Sequence, residues 1–169
     1  MATNFLEYSG GSNGWLTSPV QFMTTELNTL GNGSAATSSV AGPWTQSSLG
    51  SGQICLAYFT WGTAFTPSTV GGNLTCWWLN SPDGGTNFES VIATPSSSVP
   101  ALGRPPDFII PLYENGTSLG STAGTLVKMC QAPFIYPWVK TKLLVQNNCG
   151  VALPASGNSI YIGSVANQY

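Results

Sequence analysis

The apolar residues of this chain come in short runs, each closed by a cluster of Gly, Pro, Ser or Asn. Runs of about four to eight residues bounded by turn formers fit strands, whereas a helix needs a longer segment with an apolar repeat near 3.6 residues. Gln53–Trp61 (QICLAYFTW) and Leu74–Leu79 (LTCWWL) are apolar on both faces. Such runs are central strands, or strands whose outer face meets a neighbouring subunit. Val20–Leu27 alternates weakly, and Asp107–Tyr113 (DFIIPLY) carries Pro111, which marks an edge or bulged strand. Thr125–Gln131, Trp138–Gln146 and Ser159–Gly163 follow, with Ser90–Ala93 as a short addition. The best helical candidate, Phe22–Leu30, has three threonines and no second turn of apolar contacts. These signals predict an all-β fold over residues 1–169: a single-domain, jelly-roll-like β-sandwich of seven to eight antiparallel strands, with residues 1–14 as an N-terminal arm.

Long Gly/Ser/Pro-rich loops separate the strands. Leu30–Gln53 contains Pro43-Trp44, Thr94–Pro106 (TPSSSVPALGRPP) is Pro-rich and extended, and Tyr113–Gly124 is rich in Gly, Ser and Thr. Stiff segments of this kind suit docking, because Pro lowers the entropy lost on ordering. Between them, PDGGTNFE carries Asp83-Gly84, a strong hairpin signal that calls for positive φ at a glycine.

Charge is scarce. Only 6% of residues are charged, four basic and six acidic, for a net charge of −2; ordinary domains carry about 25%. A surface of Ser, Thr, Asn, Gly and Gln is cheap to desolvate, which suits a protein packed against copies or partners. Four basic residues cannot supply the phosphate contacts of a nucleic-acid binder. No apolar run reaches the length of a membrane-spanning helix, and the N-terminal stretch has no secretory pattern, so synthesis in the host cytoplasm is expected.

The search for chemistry is short. Without His there is no Ser/His or Cys/His arrangement. Glu7, Glu26, Asp83, Glu89, Asp107 and Glu114 are the available acids, and Asp83 with Glu89 forms the one conceivable glycosidase pair, although Asp83 fits a turn role better. No phosphate-cradling, dinucleotide or metal-ligand motif occurs, so no catalytic residue, cofactor or metal is assigned. Cys55, Cys76, Cys130 and Cys149 lack CxxC spacing and read as buried free thiols. Adjacent Trp77 and Trp78 point to opposite faces of a strand, so one fills the core and the other faces outward. An outward aromatic raises a rival reading, a carbohydrate-binding module.

Two segments resemble known proteins. WLNSPDGGTNFE (Trp78–Glu89) is followed by RPPDFIIPL (Arg104–Leu112), and KLLVQNNCGVALPASGNSIYIGSVANQ spans Lys142–Gln168. The combination resembles small virion structural proteins of tailed bacteriophages, which carry a DG-(T/S)-N-(Y/F) hairpin, an R-x-P-D and PL strand, and an NN-x-G-V-A-x-x-A-S-G-N turn. The resemblance covers about half the chain, mainly after Trp77, and brings no catalytic residue with it. It implies a virion protein: a capsid decoration (cement) protein forming a dimer or trimer and touching the major capsid protein, or alternatively a tail or fibre-tip component that binds glycans. Pro43, Trp44, Trp61, Trp78, Val99, Pro100, Leu102 and Arg104 are the candidate interface residues.

A chain folded in a reducing compartment keeps its thiols. Denatured, alkylated protein is therefore expected to show all four cysteines modified without reductant; protection of two or more would point to a disulfide instead.

Overall fold

The computed structural model describes residues 16–39, 54–89, 102–112, 127–130, 134–135 and 140–165. Nine strands among these residues form two antiparallel sheets, and no α-helix occurs among them. The first sheet contains β1 (Leu16–Met23), β3 (Ile54–Thr60), β6 (Val127–Met129), β7 (Phe134–Ile135) and β9 (Ser159–Val165), in the order β1-β9-β3-β6 with β7 also on β3. The second contains β2 (Ala35–Thr37), β4 (Asn73–Asn80), β5 (Phe108–Pro111) and β8 (Thr141–Asn147), in the order β2-β8-β4-β5.

The pairing is nested. β1 pairs β9, β2 pairs β8, β3 pairs β6 and β7, and β4 pairs β5. The chain is one long hairpin whose successive strand pairs alternate between the two sheets. β3 and β4 occupy interior positions, as their two-sided apolar character requires.

Between the sheets, Cys55, Ala57, Phe59, Ile160 and Ile162 meet Leu74, Cys76, Trp78, Phe108, Ile110, Leu143 and Val145 in one core. A register shift between Gln21 and Met23 makes room there for both Phe22 and Met23, each 1% exposed. Pro19 lies in β1, an edge strand, where its missing N–H costs no ladder bond on the free side.

Three expectations need correction. The segment 30–53 is not loop throughout, because β2 pairs with Leu144, Val145 and Gln146; a three-residue strand is too short to show alternation. Two-residue β7 escapes for the same reason. The strand expected to reach Leu27 stops at Met23, and Thr25–Leu27 forms a 3₁₀ turn. Glu26 causes the break: its carboxylate accepts from Thr24 N at 2.9 Å and from Ser39 N at 2.7 Å, tying the turn to the segment after β2. Ser90–Ala93 lies outside the described residues.

The 147–158 turn is held by amides. Asn147 is fully buried. Its Nδ2 donates to Leu30 O at 2.8 Å and Val151 O at 2.7 Å, and its Oδ1 accepts from Cys149 N at 3.0 Å. Asn158 Nδ2 donates to Asn28 Oδ1 and Pro154 O, and Asn32 Oδ1 accepts from Gly150 N. Gly157, at φ 75°, lets the turn close on Gly62; a Cβ there would sit 2.5 Å from Gly62 Cα.

Asn147→Leu keeps the volume and removes these bonds, leaving Cys149 N without its acceptor. A loss of about 2–4 kcal/mol is expected, read as a lower urea midpoint at unchanged slope. A shift within about 0.5 kcal/mol, the range of a surface substitution, would contradict this role for Asn147.

Candidate interaction surface

The chain leaves β4 at Asn80 and returns at β5, and the excursion between them holds two of the motifs singled out above, DGGTNFE and RPPD. It begins with a self-contained turn. Ser81 N donates to Lys140 O at 2.9 Å, and Ser81 Oγ donates to Asp83 Oδ1 at 2.8 Å while accepting from Gly85 N at 2.7 Å. Asp83 also accepts from Thr86 N, Asn87 N and Asn87 Nδ2. These donors, those of Asn87 first, hold its carboxyl down at about 2. Gly84 and Gly85 adopt φ of 73° and 110°, so the positive-φ expectation holds.

The two-residue hairpin does not form. Strand β4 pairs with β8 and β5, and the turn closes through Glu89 N donating to Asn80 O at 3.2 Å. Side-chain acceptors at Ser81 and Asp83 capture the N–H groups that a hairpin ladder would have used. An oxygen set saturated by donors and held acidic is the opposite of what a general acid needs near neutrality, so Asp83 is a turn residue.

Arg104 and Asp107 carry out a second task. Asp107 N still donates to Cys76 O at 2.9 Å, but Pro105 and Pro106 have no N–H with which to carry the β5 ladder further. Side chains take over: Asp107 Oδ2 accepts from Trp78 N at 2.7 Å, and an Arg104 Nη donates to Trp78 O. The pair is itself joined at 2.7 Å, and Arg104 lies 3.5 Å from Glu89 Oε2. The RPPD motif thus satisfies both backbone groups of Trp78 in place of a strand.

The Trp78 clamp sits beside a small apolar cluster on the outer face of the second sheet. Ala35, Trp77, Leu79 and Leu144 are buried there, with Phe88 and Leu102 packed on them and Lys142 Nζ 5.2 Å from the Phe88 ring centroid. Trp77 does face away from the main core, yet it is only 8% exposed. Its cover comes from residues distant in sequence, which no strand pattern announces.

Trp61 and Trp78 do not belong to a surface. Each is 3% exposed in the core: Trp61 stacks with Phe59 at 5.6 Å and meets Phe65 edge-on, and Trp78 meets Phe22 and Phe108. Their proposed interface role is corrected accordingly; large aromatics at interior strand positions fill the sandwich. Leu102 and Arg104 are half-buried on the excursion. Pro43, Trp44, Val99 and Pro100 lie outside the described residues. Sequence reasoning weighed Asp107 and Glu89 only as acids and passed over Lys142 and Phe88; the i, i+3 spacing of Arg104 and Asp107 was the one signal of their joint role.

All four cysteines are buried free thiols. Burial, with Cys130 nearby, pushes Cys55 up to about 11; burial also raises Cys76 and Cys149. Thiols so shifted are poor nucleophiles at neutral pH. Among the described residues no group of His, Cys, Asp and Glu could hold a metal, and no helix is long and apolar enough to cross a membrane. No family model, curated protein or solved structure matches the chain.

For Asp83 the lowered carboxyl sets the sign of a pH effect. Its stabilisation is complete above the ordinary Asp value of about 3.9 and is lost as pH falls towards about 2. Glu26 adds in the same direction: burial pushes it up, but hydrogen bonds from Ser39 and Thr24 outweigh that and leave it lowered. The melting temperature is expected to drop on acidification through this window, and less steeply in Asp83→Asn. Parallel curves for the two proteins would remove Asp83 from the account.

Proposed function

We propose that this chain is a non-enzymatic virion structural protein, a jelly-roll capsid decoration (cement) protein that oligomerises on a tailed-phage head and stabilises it. The observation that carries the reading is the nested strand order, β1-β9-β3-β6 facing β2-β8-β4-β5. Winding one long hairpin around a sandwich in this way supports a jelly-roll reading, an architecture that serves viral capsid and lectin domains. This is a fold-level analogy, and the chemistry of the surface adds to it. Glu26, Asp83, Glu89 and Asp107 each accept a backbone N–H of their own chain. With only four basic and six acidic residues in the chain, most of its polar groups are neutral, and a partner covers such groups without stripping ions of water. The partners in this reading are the major capsid protein and further copies of the chain.

The lectin side of the analogy corresponds to the alternative, a tail or fibre-tip component that binds glycans. Such a site needs an aromatic platform open to solvent. Trp61, Trp77 and Trp78 are buried, and Val70 is the one large hydrophobic exposed among the described residues. The decoration reading is therefore the better supported.

Neutral contact predicts insensitivity to salt. A specific interface buries roughly 1,200–2,000 Å² in total, here drawn from the 30–53 and 94–106 segments. Raising NaCl to about 1 M shortens the Debye length to about 3 Å but leaves apolar contact intact. Purified particles washed from low salt to that concentration are expected to retain the protein, as quantified by gel densitometry. Release at moderate salt with rebinding on dilution would count against the model.

A further inference from the structure

One end of the sandwich is built from three segments that carry no charged residue: 28–33, 61–72 and 147–158. The strand register brings them together, since Ala35 lies opposite Gln146, Leu74 opposite Asn147 and Thr60 opposite Ser159. Asp83, Glu89, Arg104, Asp107, Lys140 and Lys142 gather instead round the other end of β4, at Trp78–Asn80. The charge-free end is fastened backbone to backbone. Ser68 N and Thr69 N both donate to Cys149 O, at 2.9 and 3.2 Å, and Leu153 N donates to Leu30 O at 3.0 Å. A Cβ on Gly150 would lie 2.3 Å from Ser68 Oγ and Thr69 Oγ1, so the two loops touch with no side chain between them. On this base stands the Thr69–Gly72 turn, closed by Gly72 N donating to Thr69 O at 2.8 Å with Gly71 at φ 75°. Val70 projects from the turn at 81% exposure, the one large hydrophobic left in solvent among the described residues. Ala64, Ala152 and Ala155 are exposed at the same end.

We propose that this end is a self-association face, on which two copies of the chain pair about a two-fold axis and each Val70 is covered by the 147–158 turn of the other. A second copy fits it better than a foreign surface. In a two-fold contact a face meets itself, so a charge near the axis meets its own like; these three segments hold none. Glu26, on the 3₁₀ turn beside them, is engaged by Thr24 N and Ser39 N of its own chain. Reciprocal contact also needs a knob and small side chains to receive it on one face, and Val70 with the exposed alanines supplies both. Loops already fastened lose little entropy on pairing. Finally, the 94–106 segment assigned above to the particle belongs to the connection after the other end of β4, which leaves this end for a neighbouring copy. That last point alone rests on the decoration reading.

The test is sedimentation velocity of the full chain over a dilution series, in which a concentration-dependent dimer is expected. Val70→Asp carries a charge into the contact and is expected to weaken dimerisation about ten- to a hundred-fold. Its side chain stands in solvent, so the far-ultraviolet circular dichroism and melting temperature of the dilute monomer are expected to stay unchanged. Ala155→Arg, at a second exposed position of the same end, is expected to act in the same direction. Lys140→Glu, exposed at the opposite end, is expected to leave the dissociation constant as it is, and so is NaCl at about 1 M. No readout here involves the particle, so the outcome is separate from the decoration reading. A chain that stays monomeric to about 1 mM, a trimer, a dimer that neither Val70→Asp nor Ala155→Arg weakens, or one that Lys140→Glu weakens equally would overturn the proposal.

Discussion

A backbone N–H or carbonyl taken from water must find a partner, at a penalty of about 1–3 kcal/mol where it does not. That constraint is met by side chains at three ladder ends among the described residues. Past the end of β5, Asp107 and Arg104 take the N–H and carbonyl of Trp78, because two prolines cannot. After β4, Ser81 and Asp83 collect the turn N–H groups. At the end of β8, Asn147 binds backbone from the 28–34 segment and from its own turn. Against a total stability of about 5–15 kcal/mol, a handful of such groups left unpaired would decide whether the chain folds. Scarce charge is spent on closing loops.

The strands with mixed apolar and β-branched character were legible in the sequence, since β3, β4, β8 and β9 coincide closely with runs that turn formers enclose. Legibility fails where a distant contact decides. Thr24–Leu27 continues an extended pattern locally, yet Glu26 reaches Ser39, thirteen residues away, and the chain turns. Asp83-Gly84 announced a turn correctly but not its setting, because the partners of β4 are chosen by nested pairing over long separations. Trp77 and Trp78 were read correctly as facing opposite ways. That the outward Trp77 is buried too depends on Phe88 and Leu102, which pack on it from the excursion.

Arg104 illustrates the difference between recognising a residue and knowing its work. Its place beside two prolines singled it out as a candidate for contact with a partner. Instead, its guanidinium is engaged with Asp107, Glu89 and the Trp78 carbonyl of its own chain. A planar fork with several fixed donors is suited to such a junction in a way that a lysine ammonium is not.

The three motifs singled out in the sequence are all junctions of this kind. DGGTNFE is the Asp83 turn, RPPD is the clamp on Trp78, and NNCGVALPASGN is the amide cluster of Asn147 and Asn158. Each fixes a loop through side-chain hydrogen bonds to backbone groups. Loops held before a partner arrives lose less entropy on docking, about 0.5–1.5 kcal/mol for each rotamer-rich side chain already ordered. In the decoration role proposed above, that economy would apply at every contact of every copy. On the proposed reading, the same junctions that complete the fold of the chain alone also hold its loops ready for a partner.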